Sequence, residues 1–187
     1  MPSIDKTILI VGNAPCADTP EVAELIRVNE TVLRMNEFSK HQAKYISDRC
    51  DIWGVNKIKT YPRPKKPHKT WWTAKTARND YQKNIENETE RFDEVIALPT
   101  LERLFEITGG RNPTTGFMMI HMAMDLGYFP TVCGFDWFKT RQVHFWHMPE
   151  EEKYWHQPDV FKKWHNPEAE KAHLFWLESN GKIELVV

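Results

Sequence analysis

Short apolar runs alternate with amphipathic segments along the chain, and this alternation predicts the fold. The apolar runs are rich in β-branched residues and end at Gly or Asn, as buried strands do. They occupy residues 8–11, 31–35, 50–55, 95–98, 128–133 and 183–187. Helices are predicted at 21–26, 79–92, 101–107, 117–126 and 166–179. Strands that alternate with helices favour an α/β fold: one Rossmann-like domain over residues 1–187, with a mostly parallel sheet covered by helices on both faces.

Signals for helix ends support the boundaries of three of these helices. Thr19-Pro20 and Asn166-Pro167 each join a capping side chain to a proline at the first helical position. Gly127 follows the helix at 117–126, in the position where a left-handed residue usually ends a helix. These residues predict where the helices between the strands begin and end.

Composition indicates a globular protein and excludes a general polyanion binder. The 187 residues are 41% hydrophobic, and 25 Lys and Arg against 26 Asp and Glu leave a net charge of -1. No apolar stretch reaches the roughly 18 residues of a membrane span. The three cysteines are odd in number and lack metal-type spacing, which favours free thiols in a cytosolic protein. We therefore expect a cytoplasmic protein.

The chain between Lys57 and Arg78 carries basic residues without a single acid. Its three prolines exclude a regular helix, so an irregular insertion is predicted there. Trp71 and Trp72 lie among the cations, a mixture typical of surfaces that bind nucleic acids or glycans. A solvated loop is the alternative interpretation. Nucleic acid is an alternative partner that this segment could bind, but it is not the favoured one.

Several predicted strands end at residues that suit a ligand. Asn13, Asn36 and Asn56 each follow a predicted strand, and Gly134 follows another. In open α/β sheets ligands bind outside the carboxyl ends of the strands, and an amide offers both a donor and an acceptor. Asn is also a common turn residue, which is the alternative explanation for each position.

A second candidate is the helix start at Thr114, Thr115 and Gly116. Hydroxyls and unpaired amides at a helix N-terminus suit a phosphate, although a plain N-cap explains the same residues. The C-terminal part of the chain also holds five histidines: His144, His147, His156, His165 and His173. No Cys or acidic partner has a recognised ligand spacing to them, so no metal site is predicted. A neutral histidine can instead take a proton from a hydroxyl, and a charged one can hold a phosphate.

Taken together, these segments resemble the motifs of the sialyltransferases of glycosyltransferase family 29. Residues 11–13 (VGN) and 34–36 (RMN) resemble the large motif, which has a VGN strand end followed by RMN. Residues 112–116 (NPTTG), with 133–135 (CGF), resemble the small motif, which has a P-S-T-G helix start and ends in a strand with GF. Both occur in the order of the family.

The remaining two motifs follow in the same order. Residues 144–147 (HFWH) resemble the third motif, and His165 with Glu170 fits the His-x4-Glu pattern of the very small motif. The turn at 12–15 (GNAP) is also similar to the GNGPS turn of the bacterial sialyltransferases of family 42. The resemblance implies the GT-A-like variant of the fold that sialyltransferases adopt.

The resemblance also implies an activity. It is the inverting, metal-independent transfer of a sugar from a CMP-activated donor to an acceptor hydroxyl, for example of a glycan, without a cofactor. The sugar would be sialic acid or a related keto-sugar acid. By similarity, His144 holds the leaving phosphate, His165 is the general base, and Glu170 braces the last helix or His165. The residues expected around the nucleotide are Asn13, Asn36, Thr114, Thr115, Gly116 and Gly134, with Asn56 added for its place at a strand end.

Three positions depart from the family pattern. The disulfide between the large and small motifs has no counterpart, because residues 8–10 (ILI) provide no cysteine for Cys133. His147 replaces the acid of the third motif, and Thr114 replaces the serine of the small motif. These departures concern the donor sugar and the acceptor more than the nucleotide. Two alternatives therefore stay open: a nucleotide-binding protein of the same fold without transfer, and a transferase for another nucleotide sugar whose anionic or nucleic-acid acceptor is held by the basic segment.

Overall fold

The computed structural model describes residues 6–38, 43–56, 64, 67–73, 92–140, 144–145 and 163–186, and they form a seven-stranded parallel sheet with helices. The strands are β1 (Thr7–Val11), β2 (Val32–Met35), β3 (Ile52–Val55), β4 (Lys69–Trp72), β5 (Glu94–Val95), β6 (Phe129–Cys133) and β7 (Glu184–Val186). The helices are α1 (Pro20–Val28), α2 (Leu98–Ile107), α3 (Thr115–Asp125) and α4 (Pro167–Ser179). The predicted α/β fold with a parallel sheet is confirmed.

The order of the strands creates one reversal in the sheet. The order is β5-β4-β3-β2-β1-β6-β7, so the chain extends from β1 to one edge and then returns to β6 on the other side. Val11 at the end of β1 lies in register with Arg34 of β2 and Cys133 of β6. The residues that follow these three strands therefore emerge at the same level, at the position where open α/β sheets bind ligands.

Alternate residues of the central strand enter two separate cores. Ile8 and Ile10 belong to the larger core, which also contains the buried side chains of α2, α3 and α4. Leu9 and Val11 point to the opposite face and pack in a smaller core with Val22 of α1. Both faces of the sheet are covered, as the continuous apolar strands predicted.

The helix starts confirm the capping signals. The Thr19 side chain accepts a hydrogen bond from the Val22 N–H (3.3 Å), and the Asn166 side chain accepts one from the Ala169 N–H (3.3 Å). Pro20 and the proline after Asn166 occupy the first helical positions. These caps satisfy amides that a helix leaves unpaired at its N-terminus.

The predicted strand at 95–98 is wrong except at Val95. The strand here is only Glu94–Val95, and α2 already begins at Leu98. The reason is Pro99, which has the φ of a helical residue and lacks the N–H that a first helical turn would leave unpaired. The helix is therefore three residues longer at its start than the apolar pattern indicated. The predicted helix at 79–92 lies outside the described residues except for Phe92.

The irregular insertion predicted from Lys57 to Arg78 is also corrected in part. Strand β4 lies inside it, paired with β3 on one side and β5 on the other. Trp71 and Trp72 are 1% and 7% exposed, so they are core residues and offer no aromatic surface to a nucleic acid or glycan. Aromatic and β-branched residues favour strands, and this preference outweighs the prolines, which precede the strand. Most of the basic side chains of the segment lie outside the described residues.

Two further observations concern the predicted thiols and membrane spans. Cys16, Cys50 and Cys133 are all unpaired, which confirms free thiols. Within the described ranges, no helix is both long and apolar enough to cross a bilayer.

Candidate active site

One cavity lies at the carboxyl ends of β1, β2, β3 and β6, and all ten predicted site residues line it. They are Asn13, Asn36, Asn56, Thr114, Thr115, Gly116, Gly134, His144, His165 and Glu170. The cavity volume is about 210 Å³, several times the roughly 30 Å³ that one water occupies in the liquid. The sheet reversal thus gathers residues that are up to 157 positions apart, from Asn13 to Glu170, around one cavity.

Close packing at the strand ends shapes the floor of this cavity. Gly134 has a left-handed φ of 72°, and a Cβ there would lie 2.6 Å from the Cβ of Ala17. A Cβ on Gly116 would lie 2.3 Å from the ring of Phe135. Only glycine fits at both positions. The end of β6 can therefore approach the chain after β1, and the start of α3 can approach the loop after β6.

Three asparagines that line the cavity each have a buried amide oxygen without a hydrogen-bond donor from the described part of the chain. They are Asn13, Asn36 and Asn56. The amide nitrogen of Asn13 donates to the carbonyl of Met35 (3.0 Å), and that of Asn56 donates to the Thr115 hydroxyl (2.9 Å). The side chains of Asn13 and Asn56 are thus each held in place by the amide nitrogen while the oxygen has no donor. An unsatisfied buried acceptor costs about 1–3 kcal/mol, so the cavity suits a ligand rich in N–H and O–H groups.

Asn36 is also held in an unusual backbone conformation. Its φ is 54°, in the left-handed region that Asn tolerates better than most residues. Its N–H donates to the carbonyl of Gly54 (2.9 Å), and its own carbonyl accepts from the indole N–H of Trp53 (2.9 Å). Two contacts with β3 therefore keep the Asn36 side chain at the edge of the cavity.

The start of α3 is joined to α4 through Glu170. The carboxylate accepts from the N–H of Thr114 (2.7 Å) and from its hydroxyl (2.6 Å). The same hydroxyl accepts from the N–H of Phe117 (3.2 Å), so Thr114 is an N-cap as well as a cavity residue. The helix itself provides no partner for the next amides, those of Thr115 and Gly116, which also line the cavity. A helix N-terminus of this kind attracts an anion.

Burial raises the pKa of Glu170 to about 7, against an ordinary value of 4.5. The two hydrogen bonds from Thr114 act in the opposite direction, but the loss of water around a side chain only 4% exposed outweighs them. The described contacts of the Glu170 carboxylate are with Thr114, rather than with the start of the last helix or with His165, the two partners expected for it. Glu170 thus joins its own helix α4 to the first turn of α3.

His165 is oriented by the backbone next to it in the cavity. Its Nδ1 lies 2.6 Å from the carbonyl oxygen of Asn112, which can only accept, so Nδ1 carries the proton. The neutral ring therefore has its basic lone pair on Nε2. Phe138 stacks on the ring with centroids 6.3 Å apart and planes at 14°. This arrangement gives a histidine in the tautomer that a general base needs.

His144 is held at the cavity by a backbone hydrogen bond of the next residue, Phe145. The N–H of Phe145 donates to the carbonyl of Asn13 at 2.7 Å, which attaches this short segment to the end of β1. His144 itself is half-buried and lines the cavity. A histidine and a buried asparagine amide are thus held at the same strand end.

The loop after β6 contributes site residues that the sequence analysis did not single out. Asp136, Trp137 and Phe138 line the cavity, and the latter two have φ values of 53° and 58°. Their position directly after a predicted strand that ends at Gly134 was the available signal. Left-handed backbone at two successive bulky residues is costly and is typical of functional sites.

Of the other three histidines of the C-terminal part, His173 is the one that the structure describes. His173 stacks on His121 with ring centroids 5.2 Å apart, and neither of them lines the cavity, although both rings contact Phe117, which does. His147 and His156 lie outside the described residues. Where the structure describes the chain, no three His, Cys, Asp or Glu side chains are grouped as metal ligands.

Comparisons with known proteins give a likeness in structure alone. No family model matches the chain, and no curated protein matches it significantly. A mammalian sialyltransferase in complex with Gal-beta-1-3GalNAc-ortho-nitrophenol is similar with a TM-score of 0.67 and 14% identity, over 97% of this chain and 69% of that one. The sialyltransferase CST-II in complex with a trisaccharide acceptor and CMP has a TM-score of 0.61 and 16% identity, over 96% of this chain and 80% of that one.

A further structure of CstII, from Campylobacter jejuni and in complex with the substrate analogue CMP-3FNeuAc, has a TM-score of 0.59 and 18% identity, over 96% of this chain and 79% of that one. These values show that the chain has the fold of the sialyltransferases. The fold that the motif resemblance implied is therefore confirmed.

Proposed function

We propose that this protein is a glycosyltransferase that moves a sialic acid, or a related keto-sugar acid, from a CMP-activated donor to an acceptor hydroxyl. The observation that carries the proposal is the convergence of all four motif-like segments on one cavity. Residues around Asn13, Asn36, Thr114, His144 and His165 come from distant parts of the chain and meet at the sheet reversal. The fold neighbours include structures with CMP and with CMP-3FNeuAc, which supports the choice of donor.

The amide oxygens of the cavity favour a cytidine nucleotide. Asn13, Asn36 and Asn56 present three acceptors, and cytidine carries an exocyclic amino group and two ribose hydroxyls as donors. Uridine has a carbonyl in place of the amino group, which would face an acceptor with an acceptor. We therefore expect CMP to bind more tightly than UMP, because a buried polar group left unpaired is costly.

The phosphate would lie at the start of α3. There the amides of Thr115 and Gly116 and the positive end of the helix dipole stabilise negative charge. His144 would add a proton donor for the same phosphate as it leaves. Glu170 repels the negative phosphate only in part, because its pKa of about 7 leaves much of the carboxyl group neutral at neutral pH.

His165 would be the general base of the transfer. Its Nε2 takes the proton of the acceptor hydroxyl while the hydroxyl oxygen forms a bond to the anomeric carbon. The bond from that carbon to the phosphate oxygen breaks, and its electron pair leaves with CMP. One displacement of this kind inverts the anomeric centre. In this proposal, positioning and charge stabilisation supply the rate without a metal ion.

Calorimetric titration without added metal tests the nucleotide site. We expect CMP to bind at least about tenfold more tightly than UMP, and more tightly than GMP, AMP or NAD. Asn13→Ala should weaken CMP binding by about tenfold, the value of one hydrogen bond in a buried site. The matched control is Asn180→Ala, because Asn180 also donates its amide to a backbone carbonyl, that of Trp176 (2.7 Å), but lies at the far end of α4.

Two results would contradict the donor class. One is a preference for another nucleotide, which would leave the cavity as a site for a different nucleotide sugar. The other is no binding of any of the five ligands by a folded protein. If CMP binds but no CMP-sugar is hydrolysed or transferred, the protein is a nucleotide-binding protein of this fold without transferase activity.

A further inference from the structure

The proposed base lies in a segment that is hydrogen-bonded to the chain before α3. The segment is residues 164–170, which lead into α4, and its partner is residues 108–114. The N–H of Asn112 donates to the carbonyl of Trp164 (3.1 Å), and the Asn112 carbonyl accepts from Nδ1 of His165 (2.6 Å). The tautomer of His165 therefore depends on how these two segments lie relative to each other.

The side chain of Asn166 also joins the two segments, and it uses both ends of its amide. The oxygen accepts from the N–H of Ala169 (3.3 Å) as the N-cap of α4, and the nitrogen donates to the carbonyl of Thr108 (3.2 Å). Because the cap needs an acceptor, it fixes which end of the amide is the oxygen, and the nitrogen faces Thr108. One side chain thus connects the start of α4 to the end of α2.

His165 lies between two of these hydrogen-bonded positions. Trp164 before it is held by its carbonyl, and Asn166 after it is held by Thr108, a fully buried residue at 0% exposure. The guanidinium of Arg111 makes a longer and exposed contact (3.4 Å) with the His165 carbonyl. Without the amide nitrogen of Asn166, the chain after His165 would lose its hydrogen bond to a buried partner. The ring would then be free to move away from the carbonyl that holds its proton.

We propose that Asn166 is a positioning residue for the general base: the bond from its amide nitrogen to the end of α2 keeps the His165 ring on the Asn112 carbonyl. The catalytic consequence rests on the proposed transferase function. Asn166 itself does not line the cavity, so it acts through the histidine. A base that is displaced by about 1 Å, or that turns its protonated nitrogen towards the acceptor hydroxyl, can lose on the order of 100-fold in rate.

Two substitutions remove the amide nitrogen and keep the helix cap. Asn166→Ser retains an oxygen that caps α4 as well as Asn does, but it has no group to donate to Thr108. Asn166→Asp is the second variant, because it also keeps the shape of the side chain and puts an oxygen in place of the nitrogen. The matched control is Asn29→Ser, since Asn29 likewise donates its amide to a backbone carbonyl, that of Leu25 (2.9 Å), at the end of α1.

Proton–nitrogen correlation NMR of the histidine rings tests the positioning without any substrate. It is recorded at about pH 9, where a histidine with an ordinary pKa of about 6.5 is neutral. The spectrum of His165→Ala identifies the signal of this ring. We expect His165 to carry its proton on Nδ1 in the wild type and in Asn29→Ser, and to show a mixture of both tautomers in the Asn166 variants. A wild-type ring protonated on Nε2 would overturn the inference.

Steady-state turnover of a CMP-sugar tests the consequence for catalysis. We expect Asn166→Ser to lower kcat by about tenfold, less than removal of the base itself, because the ring is still present but is held less firmly. KM for the donor and the affinity for CMP should change by less than about twofold, since the nucleotide is assigned to the start of α3. A variant that is merely less stable would not separate kcat from KM in this way. Urea unfolding confirms that each variant is folded under the assay conditions.

The outcomes distinguish this inference from the proposed function. If both Asn166 variants keep His165 in the wild-type tautomer, or lose no kcat, the positioning role is wrong and the transferase proposal stands. A tautomer change of the same size in Asn29→Ser would also contradict the positioning role. If the tautomer changes in the Asn166 variants but the wild type transfers no sugar, the transferase proposal fails and the structural link from Asn166 to His165 remains.

Discussion

Two regions of the molecule bury titratable side chains in different ways. At the cavity, His165 and Glu170 are hydrogen-bonded to the start of α3 and to the chain before it. Where α2, α3 and α4 pack, His121 is 3% exposed and surrounded by rings, with Phe117 and His173 at 4.9 and 5.2 Å. Neither of its ring nitrogens has a hydrogen-bond partner in the part of the chain that the structure describes.

The two regions show the difference between polar groups buried at a ligand site and polar groups whose burial only lowers stability. Burial lowers the pKa of His121 to about 3, so this histidine is neutral and acts as an aromatic core residue. The unpaired amide oxygens belong to residues that line the cavity, whereas His121 does not line it and is packed among rings. An unsatisfied polar atom therefore indicates a ligand only when it lines a cavity. This distinction can be tested at three positions.

The largest effect is expected at His165. His165→Ala removes the proposed base, so we expect turnover of a CMP-sugar to fall by roughly 100-fold or more, about 3 kcal/mol in the barrier. CMP affinity should change little, because the assigned contact is with the acceptor hydroxyl. The control is His68→Ala, since His68 is an exposed histidine. Near-normal turnover in the His165 variant would show that another group accepts the proton.

Glu170 should show its burial in the pH dependence of stability. Its pKa is raised from 4.5 to about 7 in the folded protein, so its contribution is fully present below pH 4.5 and is lost as pH rises through 7. Glu170→Gln does not titrate, and the stability of wild type relative to this variant should fall by up to about 3 kcal/mol between pH 4.5 and pH 8. Urea unfolding over this range measures the difference. Parallel pH profiles would mean that Glu170 titrates normally.

His121 should give the smaller effect, and in the opposite direction. Its folded pKa lies near 3 against an ordinary 6.5, so wild-type stability is lost as pH falls below about 6.5. His121→Phe removes this titration, and the stability of wild type relative to the variant should fall by about 2 kcal/mol from pH 7 to pH 5. Turnover should stay within twofold of wild type, because the side chain does not line the cavity. A large loss of turnover with normal stability would show that His121 takes part in function, which would contradict the distinction between the two regions.

Much of this architecture could be predicted from local patterns. The apolar runs located six strands, and Thr19, Asn166 and Gly127 marked helix ends, because capping and strand formation depend on near neighbours in sequence. The asparagines at the strand ends were candidates for the same reason. The predicted strand at 95–98 and the predicted insertion at 57–78 were placed less well. The prolines near them obscured β4 and the start of α2.

The sequence by itself thus located six of the seven strands, their order of appearance and the residue types that follow them. Only the tertiary structure decided which of these residues meet and what each one contacts. Glu170 has its carboxylate on Thr114, and His165 has its proton directed to Asn112, through contacts that span 56 and 53 residues. The physical reason is that a polar group binds whichever partner the packing of helices leaves unpaired nearby, and no local spacing encodes that choice.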